Sequence, residues 1–414
     1  MSLDLIQTVA LAGVVLFAGY FIRRVITPLA AYNIPAPVVG GLLVSILLTI
    51  NRSYFGYPLA FDTTLQSPLM IAFFTSIGFA ASLALLRVGG PAVLIFFGLA
   101  TAIVLVQNFA GAGVALALGQ PPLMGVLAGS VTMAGGPATA LAFAGAFEAA
   151  GVPAAATLGV AAAMAGIVAG GLVGGPIGTY LVNRSPARPS RPVAMRQPVA
   201  EHVVEAGLPD PVVTRVPEGE DSEAYDLLKT IVVVLVAMWF GAWVSAWLVE
   251  AAAGAGFTLT LPAYIGAMLV AAVIRNVDDV TGVFGLSQRR IDDLGIAALS
   301  LFLVLALMNL RLEQLVGLAL PLTIMLIVQV LIVAIVALFV VWRVMGRDYE
   351  ASVMASGFTG FMLGTSANAM ANMTAMAERY GAAPKAFLVV PMVGAFFIDF
   401  TNALVITAFL NFYG

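Results

Sequence analysis

Gly129-Ser-Val-Thr-Met-Ala-Gly-Gly-Pro-Ala-Thr139 sets small, hydroxyl-bearing and helix-breaking residues inside an otherwise apolar stretch. A second stretch of the same character, Ser356-Gly-Phe-Thr-Gly-Phe-Met-Leu-Gly-Thr-Ser-Ala-Asn368, continues to Asn372. Glycine and proline interrupt helices. In hydrocarbon, the peptide groups they free survive only where protein or a water-filled cavity covers them. The two stretches therefore predict re-entrant hairpins, 122–149 and 350–378. Freed N–H groups at half-helix N-termini attract anions, and freed carbonyls with hydroxyls suit a hard cation. Simple close packing of helices is the alternative use of such residues. Recurrence in both halves of the chain favours a site.

The flanking sequence supplies the membrane. The chain has 414 residues, 61% hydrophobic and 9% charged, against about a quarter charged in a soluble domain. Leu5–Ile22, Ala92–Leu118, Ala154–Val182 and Val316–Val341 reach the ~18–20 apolar residues a crossing helix needs. Met1–Gln7 carries no basic residue and Arg23–Arg24 follow the first apolar run, so that run is expected to be a transmembrane helix and not a cleaved signal. A net charge of −3 with scattered basic residues argues against nucleic-acid binding. No cysteine is present and the one histidine, His202, lies in a polar segment, leaving little for zinc or imidazole chemistry. Lys229 follows Leu228 and Lys385 follows Pro384; neither fits a phosphate-binding loop. Uphill transport would have to run on an ion gradient, and no cofactor is expected.

Further spans are expected near 4–22, 36–50, 68–86, 91–118 and 154–182, then 226–250, 260–274, 292–310, 315–342 and 385–412. The proline-rich stretch 183–224 reads as a disordered cytoplasmic loop. With the N- and C-termini outside and each hairpin entering and leaving on one side, sixteen of eighteen Lys and Arg residues fall inside, all but Arg52 and Arg311. The halves also resemble one another. Pro37-Val-Val-Gly-Gly-Leu-Leu-Val44 aligns with Pro262-Ala-Tyr-Ile-Gly-Ala-Met-Leu-Val270, Asn51 with Asn276, and Gln107 with Gln329. The expected architecture is an all-α polytopic membrane protein of two inverted repeats, 1–182 and 225–414, each with five spans and one hairpin.

Within the hairpins, Ser130, Thr132, Gly135, Gly136, Thr139, Thr365, Ser366, Asn368 and Asn372 are the candidate solute contacts. Asp399 places a carboxylate in the last span, at roughly 2.5–3.5 kcal/mol on insertion scales. Asn402 follows at i+3 on the same face. With Asn108 and Thr359 these are the candidate ligands for a sodium ion. Gln107 and Gln329 fit a helix-tying role equally well, and every Lys and Arg sits at a span end, with Arg87 and Arg311 near enough to reach inward. Glu148 and Glu378 are expected to be solvated.

The chain resembles the bacterial sodium/glutamate symporters through Ile34-Pro-Ala-Pro-Val-Val-Gly-Gly-Leu-Leu-Val44, Pro68-Leu-Met-Ile-Ala-Phe-Phe-Thr-Ser-Ile-Gly78 and Leu388-Val-Val-Pro-Met-Val-Gly-Ala-Phe-Phe-Ile-Asp399. The resemblance implies sodium-coupled uptake of L-glutamate into a bacterial cell across the inner membrane, elevator-like movement of the hairpins, and a homodimer. Gly135, Gly136, Thr139, Gly364, Asn372 and Asp399 keep the family pattern. The tips depart from it. Where family members read Ser-Gly-Gly-His-Gly-Thr-Gly, this chain has Ala134-Gly-Gly-Pro-Ala-Thr-Ala140, and Gly364-Thr-Ser-Ala-Asn-Ala369 replaces Gly-Ala-Thr-Pro-Thr-Ala. Another amino acid or a (hydroxy)dicarboxylate is therefore an alternative solute. An ion channel is the alternative of a different class; it would gather pore carbonyls from symmetric subunits.

Overall fold

The computed structural model describes residues 3–54, 59–185, 223–254, 261–315 and 317–414. Most of the expected cytoplasmic loop, His202 included, lies outside the described residues. Among those described there is no sheet, and the helices are α1 (Leu5–Val25), α2 (Thr27–Ala31), α3 (Ala36–Tyr54), α4 (Gln66–Ala80), α5 (Leu83–Ala117), α6 (Pro122–Val126), α7 (Gly136–Ala149) and α8 (Ala155–Arg184). There follow α9 (Glu223–Gly254), α10 (Ala263–Thr281), α11 (Gln288–Met308), α12 (Ala319–Val336, extended by a wide turn to Val344), α13 (Tyr349–Met362), α14 (Ser366–Tyr380), α15 (Pro384–Met392) and α16 (Ile398–Tyr413). Six are long and apolar enough to cross a bilayer, in α1, α5, α8, α9, α11 and α12.

The chain divides into two compact units, one of residues 67–90 and 196–299, the other of 1–66, 91–195 and 300–414. In the smaller unit, Phe79, Val234, Ala237, Ala271 and Ile291 form a buried cluster, and Phe74 stacks on Tyr264 at 4.5 Å. A Cβ on Gly266 would stand 2.1 Å from the Gly241 carbonyl oxygen, so α9 and α10 touch backbone to backbone. The span expected over 68–86 does not run through: α4 stops at Ala80. The Asn276 amide takes the place of the missing turn, Nδ2 donating to the Ala81 carbonyl (2.8 Å) and Oδ1 accepting from the Leu83 N–H (2.8 Å). With neither Gly nor Pro at 81–82, the stop depends on this distant amide, which local sequence does not announce.

The larger unit carries both hairpins. A Cβ on Gly40 would stand 2.2 Å from the Val15 carbonyl oxygen, so α1 and α3 also meet backbone to backbone. Helix α8 presents Gly166, Gly170, Gly174 and Gly178, one every fourth residue and hence on one face. Against that face lie α13 and α14: a Cβ on Gly170 would be 3.2 Å from the Gly360 oxygen, on Gly174 2.0 Å from Asn372 Nδ2, and on Gly178 2.9 Å from Ser356 Cβ. Gly174→Leu is expected to expel the Asn372 amide. Overpacking at about 1–3 kcal/mol adds to a similar term for the unpaired amide. Thermal unfolding in detergent should show a large drop in midpoint, and an unchanged midpoint would refute this packing.

The last span, expected as one helix over 385–412, runs through: α15 and α16 are joined by a wide helical turn over Val393–Phe397.

Candidate functional site

In the first hairpin α6 opens into a wide turn over Leu127–Val131, where Gly129 leaves helical geometry (φ −91°, ψ −129°). The chain turns through 132–135, and α7 starts at Gly136 with φ +66°, a region that side-chain-bearing residues enter only at a cost and glycine enters freely. Pro137 follows in the first turn, where its missing N–H breaks no helical bond. In the second hairpin α13 ends at Met362, and α14 begins at Ser366 behind a Thr365 cap accepting from the Asn368 N–H.

The two tips touch. A Cβ built on Gly136 would lie 3.4 Å from the Gly364 carbonyl oxygen and 3.8 Å from Thr365 Cγ2. Helix α8 borders both, since a Cβ on Gly166 would meet the Leu363 oxygen at 2.5 Å and Met133 Cε at 2.9 Å.

Buried side-chain amides bond peptide groups at the breaks and along the helices packed around them. Asn108 Oδ1 accepts from the Ser130 N–H (2.9 Å), and Asn402 Nδ2 donates to the Ser130 carbonyl (3.1 Å). Gln107 Nε2 donates to the Met362 carbonyl at the end of α13 (3.1 Å), and Gln329 Nε2 to the Gln107 carbonyl (2.8 Å). Asn368 and Asn372 donate to the Ile167 and Gly170 carbonyls of α8 (2.7 and 3.1 Å). A backbone carbonyl accepts only and an N–H donates only, so these partners fix which way each amide points. What remains bare is lopsided. Four amide oxygens, Gln107 Oε1, Gln329 Oε1, Asn368 Oδ1 and Asn402 Oδ1, and the Ser130 hydroxyl, which can accept as well as donate, are buried without a partner, against a single bare amide nitrogen on these residues, Asn108 Nδ2. Such groups cost about 1–3 kcal/mol each when unmatched, and an oxygen-rich set is what a hard cation takes.

The remaining predicted residues fall as follows. Thr132 and Thr139 are buried; Thr132 Oγ1 donates to the Gly129 carbonyl (3.5 Å), and Thr139 packs under Gly135. Gly135, Thr365 and Ser366 are half-buried, and Ser366 Oγ donates to the Gly394 carbonyl in the wide turn before α16 (2.6 Å). Thr359 donates back to Ala355 of its own helix (2.9 Å). Asp399 is half-buried at the start of α16, one turn before Asn402, with no ion-pair partner among the described residues. Arg311, Glu148 and Glu378 are exposed, while the Arg87 side chain lies outside the described residues. Gln107 and Gln329 were not distinguished by sequence from ordinary helix-tying amides. Their matched places in two long spans were the one available signal. Ser356, whose Oγ donates to the Gly174 carbonyl (2.9 Å), gave none.

Broken hairpins that meet tip to tip within a bundle of membrane-length helices belong to the architecture of secondary transporters. Comparison with known proteins gives the same class and narrows it. The sodium/glutamate symporter family model matches residues 1–382. The chain is 39% identical over 409 residues to the sodium/glutamate symporter of Escherichia coli, covering 99% of this chain and 98% of that protein. It is 38% identical over 400 residues to that of Haemophilus influenzae, covering 96% and 95%. The chain belongs to the sodium/glutamate symporter family. It is thus a multi-pass membrane transporter and not an enzyme, which sets the channel alternative aside.

Proposed function

We propose that the chain carries out sodium-coupled symport of L-glutamate or a closely related acidic solute, by an elevator-like movement of its hairpins. The observation that carries this is the bare oxygen set around the two breaks, four buried amide oxygens and one hydroxyl against one amide nitrogen, which suits a dehydrated cation travelling as cargo. Asp399 supplies the negative charge, and Asn402 an oxygen one turn away. The solute carboxylate suits the place where the tips meet, because α7 and α14 both begin there and helix N-termini favour anions. Gly135, Gly136, Thr139, Thr365 and Ser366 lie in the two tips or in the first turns behind them.

Two inverted repeats, 1–182 and 225–414, with both termini outside the inner membrane, belong to the same proposal, as does a homodimer. In support, Gly40 and Gly266 sit in the aligned segments and each brings its helix against the preceding span. Gln107 and Gln329, matched in the alignment, are directly bonded, as residues near a pseudo-twofold axis would be. The departures at Pro137, Ala138, Ala140 and 365–368 favour one second reading, another amino acid or a dicarboxylate carried by the same machinery.

Uptake of labelled glutamate, aspartate, glutamine and dicarboxylates into proteoliposomes tests both. An inward sodium gradient is expected to raise glutamate accumulation about tenfold or more over an equal potassium gradient. Sodium-driven uptake of a different solute alone would move the assignment to the second reading, and uptake indifferent to sodium would remove the coupling.

A further inference from the structure

We propose that Ser130 is a ligand of the coupling ion and not a solute contact: its hydroxyl, the Asn402 Oδ1 and the Asp399 carboxylate together take sodium, and Asn108 is a positioning residue for Ser130. This rests on the symport function proposed above and adds the identity of the ion ligands.

Ser130 is the residue on which the first break turns. Gly129 takes the chain out of helical geometry. The Ser130 N–H goes to Asn108 on α5, and its carbonyl to Asn402 on α16. Two amides from separate helices thus clamp one peptide unit, and each is oriented by the clamp. Asn402 gives its NH2 to the carbonyl, so its free atom must be the oxygen; Asn108 gives its oxygen to the N–H, so its free atom is a donor. A bare donor does not bind a cation, which leaves Asn108 the part of holding Ser130 in place.

The Ser130 hydroxyl is the second observation. Other buried hydroxyls find a carbonyl to donate to, either in their own helix, as Thr75 to Ile71 (2.7 Å), Thr359 to Ala355 (2.9 Å) and Thr407 to Ala403 (2.9 Å), or in a neighbouring one, as Ser356 to Gly174 (2.9 Å). Ser130 has no such bond, because the distorted turn has moved the carbonyls that would receive it. Both Ser130 (0% exposed) and Asn402 (1% exposed) are enclosed, each with an unpartnered oxygen. Buried polar atoms are rarely left unmatched. A solute of many atoms cannot reach an oxygen sealed behind the tip, whereas a bare sodium ion needs only a gap between oxygens. Asp399 lies three residues before Asn402 on α16 and so on the same helix face. The set then has two neutral oxygens and one charge, matched to a hard monovalent cation.

Sodium binding can be read without transport, from the thermal unfolding midpoint of the purified full-length protein titrated with sodium at constant ionic strength against potassium. A ligand that binds only the folded state raises that midpoint. Ser130→Ala and the near-isosteric Ser130→Cys, whose soft sulfur is a poor ligand for a hard ion, are expected to need about tenfold more sodium or beyond for half the stabilisation. At saturating sodium, their glutamate dependence should stay within about threefold of the parent. The cysteine variant preserves volume, so it reports even if the alanine variant does not fold. A parental sodium midpoint in Ser130→Cys would overturn the assignment, as would weakened glutamate binding with sodium binding intact. If the parent itself shows no sodium-specific stabilisation, the symport function fails first, and this proposal with it.

Discussion

Asp399→Asn is expected to abolish sodium-driven uptake, with sodium dependence weakened about 100-fold or more, while the protein folds normally. A charged contact in a desolvated site is worth about 1.5–3 kcal/mol, and 2.7 kcal/mol is about two decades of affinity. No basic side chain pairs with this carboxylate among the described residues, so the substitution leaves no orphaned cation behind. Removing the charge also relieves the insertion penalty of roughly 2.5–3.5 kcal/mol, so the unfolding midpoint should hold or rise. The loss therefore belongs to function and not to folding, and the two are separated by measuring uptake against sodium concentration beside the thermal midpoint. Parental sodium dependence in the variant would take Asp399 out of the ion site.

Gly136→Val is expected to reduce uptake about tenfold or more at matched expression. Two effects act together. The residue has φ +66°, where a β-branched side chain is strained by about 1–3 kcal/mol. Its Cβ would also arrive 3.4 Å from the Gly364 oxygen, and the valine methyl groups would extend into the contact between the tips. Gly136→Ala keeps the first effect and little of the second, so it should fall between valine and parent. If valine transports normally, the tips do not need their close approach.

The membrane character and the helix breaks within 127–135 and 363–365 were legible in the sequence, because glycine and hydroxyl residues inside apolar runs have a direct backbone consequence. Asp399 stood out for the same reason: a carboxylate in a span demands an explanation. What was not legible is the pairing. Asn108, Gln107, Gln329 and Asn402 are each ordinary buried amides taken singly, and their use at the breaks depends on partners 22 to 272 residues away. The stop of α4 at Ala80 and the wide turn before α16 escaped similarly. The first is held by Asn276, and the second is where Ser366 docks on Gly394. The glycine face of α8 could be read as small residues at a spacing of four, but not which hairpin it received.

All of this depends on the proposed topology, in which the two hairpins come from opposite faces of the membrane to meet at their tips. The chain has no cysteine, and Glu148 and Glu378, near the outer ends of α7 and α14, are exposed. Single cysteines at these positions can be labelled with a membrane-impermeant thiol reagent in intact cells and again in inverted vesicles. Glu148→Cys is expected to react only from outside and Glu378→Cys only from the cytoplasmic side. Labelling of both from the same side would contradict the inverted arrangement and, with it, the proposed route for ion and solute.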